Sequence, residues 1–171
     1  VTVIEDLIAR NADFAADHFT RGLRLMPALK TIVIGCVDPR VDPNEVLRVR
    51  TGEVATIRNV GGRVTPELLM ELGMLRRVTQ AAGGDIGPGW EFIVLHHTDC
   101  GITKLTDRPE LLSLYFGVEE KSLSVEAVSK PRAAVAQDVA ILRDDARFTG
   151  VRVSGLVYDV SSGSVELVVA P

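Results

Sequence analysis

The sequence predicts an α/β domain built on a mainly parallel sheet. Three observations point there. The run Thr31-Ile32-Val33-Ile34-Gly35-Cys36 is short, rich in β-branched residues and ends in polar and proline residues, as a strand does. A second such run spans Glu91–His96, and the continuous apolarity of both is that of strands buried on two faces. Between them lies a helical pattern, and strands alternating with helices define a parallel α/β architecture.

Each element follows from local chemistry. From Thr2 to Phe19, apolar residues at Val3, Ile4, Leu7, Ile8, Phe14 and Ala15 predict one or two helices with a buried stripe, with Asn11 as a possible break. Strand one ends at Cys36. Asp42-Pro43-Asn44-Glu45 reads as a helix start, with Asp42 as cap and Pro43 in the first turn. A second strand is predicted over Glu53–Arg58, closed by Asn59-Val60-Gly61-Gly62. Thr65-Pro66-Glu67 repeats the cap-then-proline signal and opens a helix to about Ala82, with Leu68, Leu69, Leu72, Leu75 and Val78 as its buried side. Gly83–Gly89 is a loop by composition. Short helices and loops are expected over Leu105–Val128, and a longer helix over Pro131–Arg147. Val151–Val160 and Ser164–Val169 read as strands around a Ser162-Gly163 turn, a closing hairpin.

Composition narrows the function classes. A chain of 171 residues, 46% apolar and 25% charged, has the size and make-up of one globular domain, so residues 1–171 are read as a single unit without repeats or linkers. Its net charge of −4 recommends no nucleic acid as partner. No apolar run approaches a membrane span, and the opening residues lack a basic stretch followed by an apolar signal core. The only cysteines are Cys36 and Cys100; with no secreted character elsewhere, reduced thiols in the cytoplasm are the expectation.

Those thiols fall at strand ends, where open α/β sheets bind ligands. Strand one runs into Cys36-Val37-Asp38-Pro39-Arg40, and strand three into His97-Thr98-Asp99-Cys100-Gly101. Two thiolates and one imidazole at one sheet edge suit tetrahedral zinc, with a fourth position open or filled by a carboxylate. His96 and His97 point to opposite faces of a strand, and the spacing to Cys100 selects His97 as ligand, leaving His96 to packing or hydrogen bonding. His18 is read as an exposed helix-end residue, Asp99 as a loop tie to backbone amides or, alternatively, a support behind the metal ligands, and Arg76-Arg77 and Asp144-Asp145 as solvated helix faces. The Arg58-Asn59-Val60-Gly61-Gly62 turn lacks both nucleotide fingerprints; its glycines are expected to let backbone approach the metal region or a partner subunit.

Cys36-x-Asp38-x-Arg40, Arg58-Asn59-x-Gly61 and His97-x-x-Cys100-Gly101 resemble, in order and approximate spacing, the β-class carbonic anhydrases, and the His-His-Thr-Asp-Cys-Gly string resembles their short bacterial members. The resemblance implies a zinc lyase for the reversible hydration of carbon dioxide to bicarbonate. It implies Zn2+ on Cys36, His97 and Cys100, and a zinc-bound hydroxide oriented by Asp38, with Arg40 holding Asp38. It further implies a closed state in which Asp38 itself takes the metal. A homodimer or dimer of dimers is also implied, with residues 1–28 as a helical arm on a partner subunit. Pro39 stands where members often carry Ser or Ala, and Val33 where those with a regulatory bicarbonate pocket carry Trp, so no such pocket is expected. The alternatives are hydrolysis of carbon disulfide or carbonyl sulfide on the same scaffold, and a non-catalytic zinc-thiolate sensor.

Overall fold

The computed structural model describes residues Val1–Pro171. Strands β1 (Thr31–Cys36), β2 (Ala55–Asn59), β3 (Glu91–His97), β4 (Arg152–Tyr158) and β5 (Val165–Val169) form one sheet in the order β2-β1-β3-β4-β5. The pairs β1–β2, β1–β3 and β3–β4 are parallel, and β4–β5 is the antiparallel closing hairpin expected from the sequence. The helices are α1 (Val3–Asp17), α2 (Pro43–Val46), α3 (Pro66–Ala81), α4 (Pro109–Phe116), α5 (Glu126–Ser129) and α6 (Pro131–Asp144). No helix is long and apolar enough to cross a membrane.

The strand order places the site. After β1 the chain steps outward to β2, then returns past β1 to β3, so the direction of winding reverses between β1 and β3. Such a switch point opens a crevice at the C-terminal strand ends, because the connections on either side diverge. Cys36 is the last residue of β1 and His97 the last of β3.

Every residue of β1 is buried, as its unbroken apolarity predicts. Ile32 and Ile34 face the larger core, which Phe92 and Val94 of β3, Leu68 and Leu72 of α3, and Val135, Val139 and Leu142 of α6 fill. Val33, on the alternate face, packs with Val41 and Leu95 in a smaller cluster. Phe92 and Phe148 meet edge to face at 5.1 Å.

Helix starts obey the caps read from the sequence. Asp42 accepts from Asn44 N at 2.9 Å ahead of Pro43, and Thr65 accepts from Leu68 N at 3.3 Å ahead of Pro66. Several boundaries differ. Strand β2 starts at Ala55 because Glu53 is committed to a turn: its carboxylate accepts from Arg50 N at 2.8 Å and its carbonyl from Leu29 N. Helix α6 stops at Asp144, since Asp145 accepts from Arg147 N and starts a separate short turn, Ala146–Phe148. On α3, Val78 faces outward and Thr79 is buried in its place; the Thr79 hydroxyl donates to the Leu75 carbonyl at 2.9 Å, which makes that burial affordable.

Helix α1 departs further from expectation. It runs unbroken through Asn11, opened by a reciprocal box in which Glu5 N donates to Thr2 Oγ1 and Thr2 N to Glu5 Oε2. None of its residues is buried, so the predicted stripe of Val3, Ile4, Leu7, Ile8 and Phe14 lies exposed. No element of this chain covers it. His18 is exposed at the helix end, as expected.

Arg76 and Asp145 do more than solvate helix faces. Arg76 donates to both oxygens of Asp85 at 2.7 and 2.8 Å, which pins the Gly83–Gly89 loop while Ile86 and Trp90 bury beneath it. Asp145 pairs with Arg147. Arg77 and Asp144 are exposed, as expected.

Candidate metal centre

Three ligand atoms converge at the switch point. The sulfurs of Cys36 and Cys100 and a ring nitrogen of His97 all lie within 4.8 Å of one another, and all three residues are buried. The positions come from three local devices. Cys36 leaves β1 just as its backbone turns, so Asp38 N donates back to Cys36 Sγ at 3.4 Å. His97 is fixed by parallel pairing of β3 with β4, opposite Tyr158. Cys100 returns toward the sheet because Asp99 adopts a left-handed conformation, φ 52°, which aspartate tolerates better than most residues.

The donor set fits a metal. The two sulfurs are 3.8 Å apart, far beyond a disulfide bond of about 2.05 Å, and equal to the separation of about 3.8 Å that two thiolates take on tetrahedral zinc. His97 Nδ1 lies 2.8 Å from the Thr98 carbonyl, an acceptor, so Nδ1 carries the proton and Nε2 presents a lone pair. That Nε2 is buried without a hydrogen-bond partner. A buried orphan nitrogen is costly unless something binds it. A hydrogen bond from Cys100 pulls the Cys36 thiol down to about 4, against the opposing effect of burial, while sharing the proton with Cys36 pushes the Cys100 thiol up. Ile102, Leu112 and Val128 give both sulfurs an apolar backing.

Beside the sulfurs, Arg40 grips Asp38. Arg40 Nη2 donates to Asp38 Oδ2 at 2.8 Å, Nε to Oδ1 at 3.0 Å, and the Arg40 backbone N to Oδ1 at 2.9 Å. These bonds draw the Asp38 carboxyl down to about 2. Asp38 Oδ2 stands 4.0 Å from His97 Nε2. The second partner of Arg40 was missed by sequence reasoning: Asp99 accepts from Nη1 through its carboxylate at 2.8 Å and from Nη2 through its carbonyl at 3.0 Å. The Asp99 carboxylate serves Arg40 rather than a backbone amide, which is the supporting role the sequence offered as its alternative. The signal for that contact is an arginine that faces one acid at its own strand end, Asp38, and a second at the neighbouring end, Asp99.

Arg58 supports the same loop. Its guanidinium donates to the carbonyls of Cys36 and Asp38, both at 2.8 Å, and to Asp42 at 2.9 Å. The Gly61–Gly62 turn approaches the metal side as expected. Gly62 has φ 65°, and a Cβ there would lie 2.9 Å from Cys36 N and the Gly35 carbonyl carbon. His96 turns away from the sulfurs to Asp138 and the Gly62 carbonyl, a polar role consistent with its assignment outside the ligand set. A surface depression of about 620 Å³ runs along α3 between Met70, Met74 and Arg147 and contains none of these residues.

The sheet carries a Cys-His-Cys cluster able to bind a metal at its switch point, and comparison with known proteins shows what the chain is similar to. A carbonic anhydrase family model matches residues 31–113, which include Cys36, His97 and Cys100. β-Carbonic anhydrase 1 of Mycobacterium tuberculosis is 34% identical over 107 residues, 63% of this chain and 60% of that protein. A carbon disulfide hydrolase of Saccharolobus solfataricus is 29% identical over 114 residues, 64% of this chain and 51% of that protein. Among solved structures, the carbonic anhydrase of Streptococcus mutans superimposes with a TM-score of 0.75 at 27% identity, covering 98% of both chains. The chain thus resembles carbonic anhydrases in sequence over about half of its length and in fold throughout, and it spans about 60% of the length of the β-carbonic anhydrase it matches.

Proposed function

We propose that this protein catalyses the reversible hydration of carbon dioxide to bicarbonate, with Zn2+ held by Cys36, His97 and Cys100. The observation that carries the reading is the buried cluster of two sulfurs and an unpartnered imidazole nitrogen beside an aspartate already clamped by arginine. Zinc at such a site supplies Lewis acidity, which lowers the pKa of water toward neutrality.

The chain's own residues do the remaining work. Asp38 is an anion throughout the neutral range, because Arg40 holds its carboxyl down to about 2. An ionised carboxylate only accepts hydrogen bonds. Asp38 therefore takes the proton-bearing side of a nucleophile next to it and leaves the lone pair aimed outward. Arg40, fixed in turn by Asp99, keeps Asp38 in that role and away from the metal position. Release of Asp38 from Arg40 would let it close the site as a fourth ligand. The apolar backing from Ile102 and Leu112 favours a small uncharged substrate over water.

The reading includes a homodimer, or a dimer of dimers, in which residues 1–28 pack on a second copy. Its support is the uncovered apolar face of α1, with Ile4 and Ile8 each 62% exposed. A cytoplasmic setting would keep both thiols reduced and available. A second reading, hydrolysis of carbon disulfide, is favoured by the 29% identity to the Saccharolobus solfataricus hydrolase. Turnover of carbon dioxide and of carbon disulfide, compared on one zinc-loaded preparation, separates the two. Carbon dioxide turnover by wild type and its loss in Asp38→Asn supports the anhydrase; carbon disulfide turnover alone replaces it.

A further inference from the structure

Behind the metal ligands lies a buried ionic cluster that the chemistry above does not use. Asp138, on α6, is fully buried, and Arg63 and His96 are almost so. Arg63 donates to Asp138 through Nε at 2.8 Å and Nη2 at 3.1 Å, and its Nη1 donates to the Ala127 carbonyl at 2.9 Å. The guanidinium also lies 4.6 Å from the centroid of the Phe116 ring. Val64 N donates to Asp138 Oδ2 at 3.2 Å. His96 Nε2 lies 3.0 Å from Asp138 Oδ2 and 3.1 Å from the Gly62 carbonyl. Both are acceptors, so Nε2 carries the proton and donates to them.

Such a cluster is a poor way to gain stability. Burying three polar groups costs desolvation that well-packed apolar residues would avoid, so its justification lies in what it specifies. Its members tie together the segments that carry the ligands. His96 immediately precedes His97 on β3, and on a strand its side chain points to the opposite face, so fixing one ring sets the backbone that carries the other. Gly62 packs its backbone against Gly35 and Cys36, and its carbonyl accepts from His96. Asp138, on α6, thus ties the end of β3, through His96, to the Gly62–Val64 turn that packs on the end of β1. Asn59 closes the same turn, accepting from Arg63 N and donating to the Arg63 carbonyl, both at 2.8 Å.

We infer that Arg63, Asp138 and His96 form a positioning clamp that holds His97 and Cys36 at metal-binding separation, with His96 as its link to the site. The inference rests on the metal-centre reading but not on the identity of the substrate. Groups that orient metal ligands typically govern affinity by about tenfold to a hundredfold when removed.

His96→Leu is the informative variant. It deletes the donor yet leaves Asp138 paired with Arg63 and Val64 N, so the domain should fold. His96→Gln offers an amide N–H in nearly the same place as Nε2. Zinc affinity, by competition with a chromophoric chelator, and the visible spectrum of the cobalt(II) form are the readouts. The clamp predicts zinc affinity at least about tenfold weaker and an altered cobalt spectrum in His96→Leu, with both largely restored in His96→Gln. Parent affinity and spectrum in His96→Leu, with only thermal stability reduced, would overturn it. Failure of the parent itself to take up zinc would overturn the metal-centre reading instead, so the two failures are distinguishable.

Discussion

At the scale of single residues, the centre depends on which atoms are left without partners. His97 spends Nδ1 on the Thr98 carbonyl and keeps Nε2 free, while both sulfurs lie within reach of it. Cys36→Ser and Cys100→Ser are each expected to lose most bound zinc, measured by metal analysis after dialysis, because a neutral hydroxyl is a far weaker ligand than a thiolate. Asp38→Asn removes the acceptor charge without touching a ligand. It should retain about one zinc per chain and lose carbon dioxide hydration by about a hundredfold or more, the scale of a lost orienting group. Full activity there would remove Asp38 from its assigned role. The cluster of Cys36, His97 and Cys100 was legible in the sequence because its residues concentrate at two strand ends. The pairing of Asp99 with Arg40 was not, because the two are 59 residues apart and only the fold brings them together.

At the scale of elements, caps and glycines set the geometry. Thr65 starts α3 through its hydroxyl, and Thr65→Ala should cost about 1 kcal/mol of stability in denaturant unfolding with the metal site unaffected. Gly62 is different: its positive φ and 2.9 Å approach to Cys36 N leave no room for a methyl group. Gly62→Ala should lower both stability and zinc affinity, and a normal zinc affinity would show that the turn does not set the Cys36 position. The cap-proline signals at Asp42 and Thr65 located helix starts to the residue, since a capping side chain acts within its own turn. Helix ends were harder. The stop of α6 at Asp144 depends on the Asp145–Arg147 turn, and the choice of Thr79 over Val78 for burial depends on how α3 rolls on the sheet.

At the scale of the whole molecule, the sheet order and the exposed α1 bear on assembly and pH. The parallel class followed from apolar strand runs. The order β2-β1-β3-β4-β5 did not, because strand neighbours are chosen by long-range pairing. The apolar stripe of α1 was legible in the sequence, and no element of this chain covers it. Deleting residues 1–28 should therefore shift the protein toward monomer in sedimentation equilibrium, and an unchanged mass would exclude the arm from the interface. Asp138 governs acid stability. Burial opposes its ionisation, but the His96 donor and the Arg63 charge outweigh that and hold its carboxyl below the usual range. A depressed carboxyl contributes stability above its unfolded value of about 3.9 and loses it as pH falls through the folded value. Stability measured by denaturant unfolding should therefore carry no Asp138 contribution to its pH dependence above about pH 5 and should decline only below about pH 4; in Asp138→Asn that acid decline should shrink, and an unchanged acid decline would contradict the buried charge.

The most direct test of the central claim is stopped-flow hydration of carbon dioxide by protein of known zinc content, from about pH 6.5 to 9, the range that brackets zinc-activated water. About one zinc per chain is expected, with turnover that rises with pH and collapses in Asp38→Asn. Full zinc with no carbon dioxide turnover at any pH would contradict that claim.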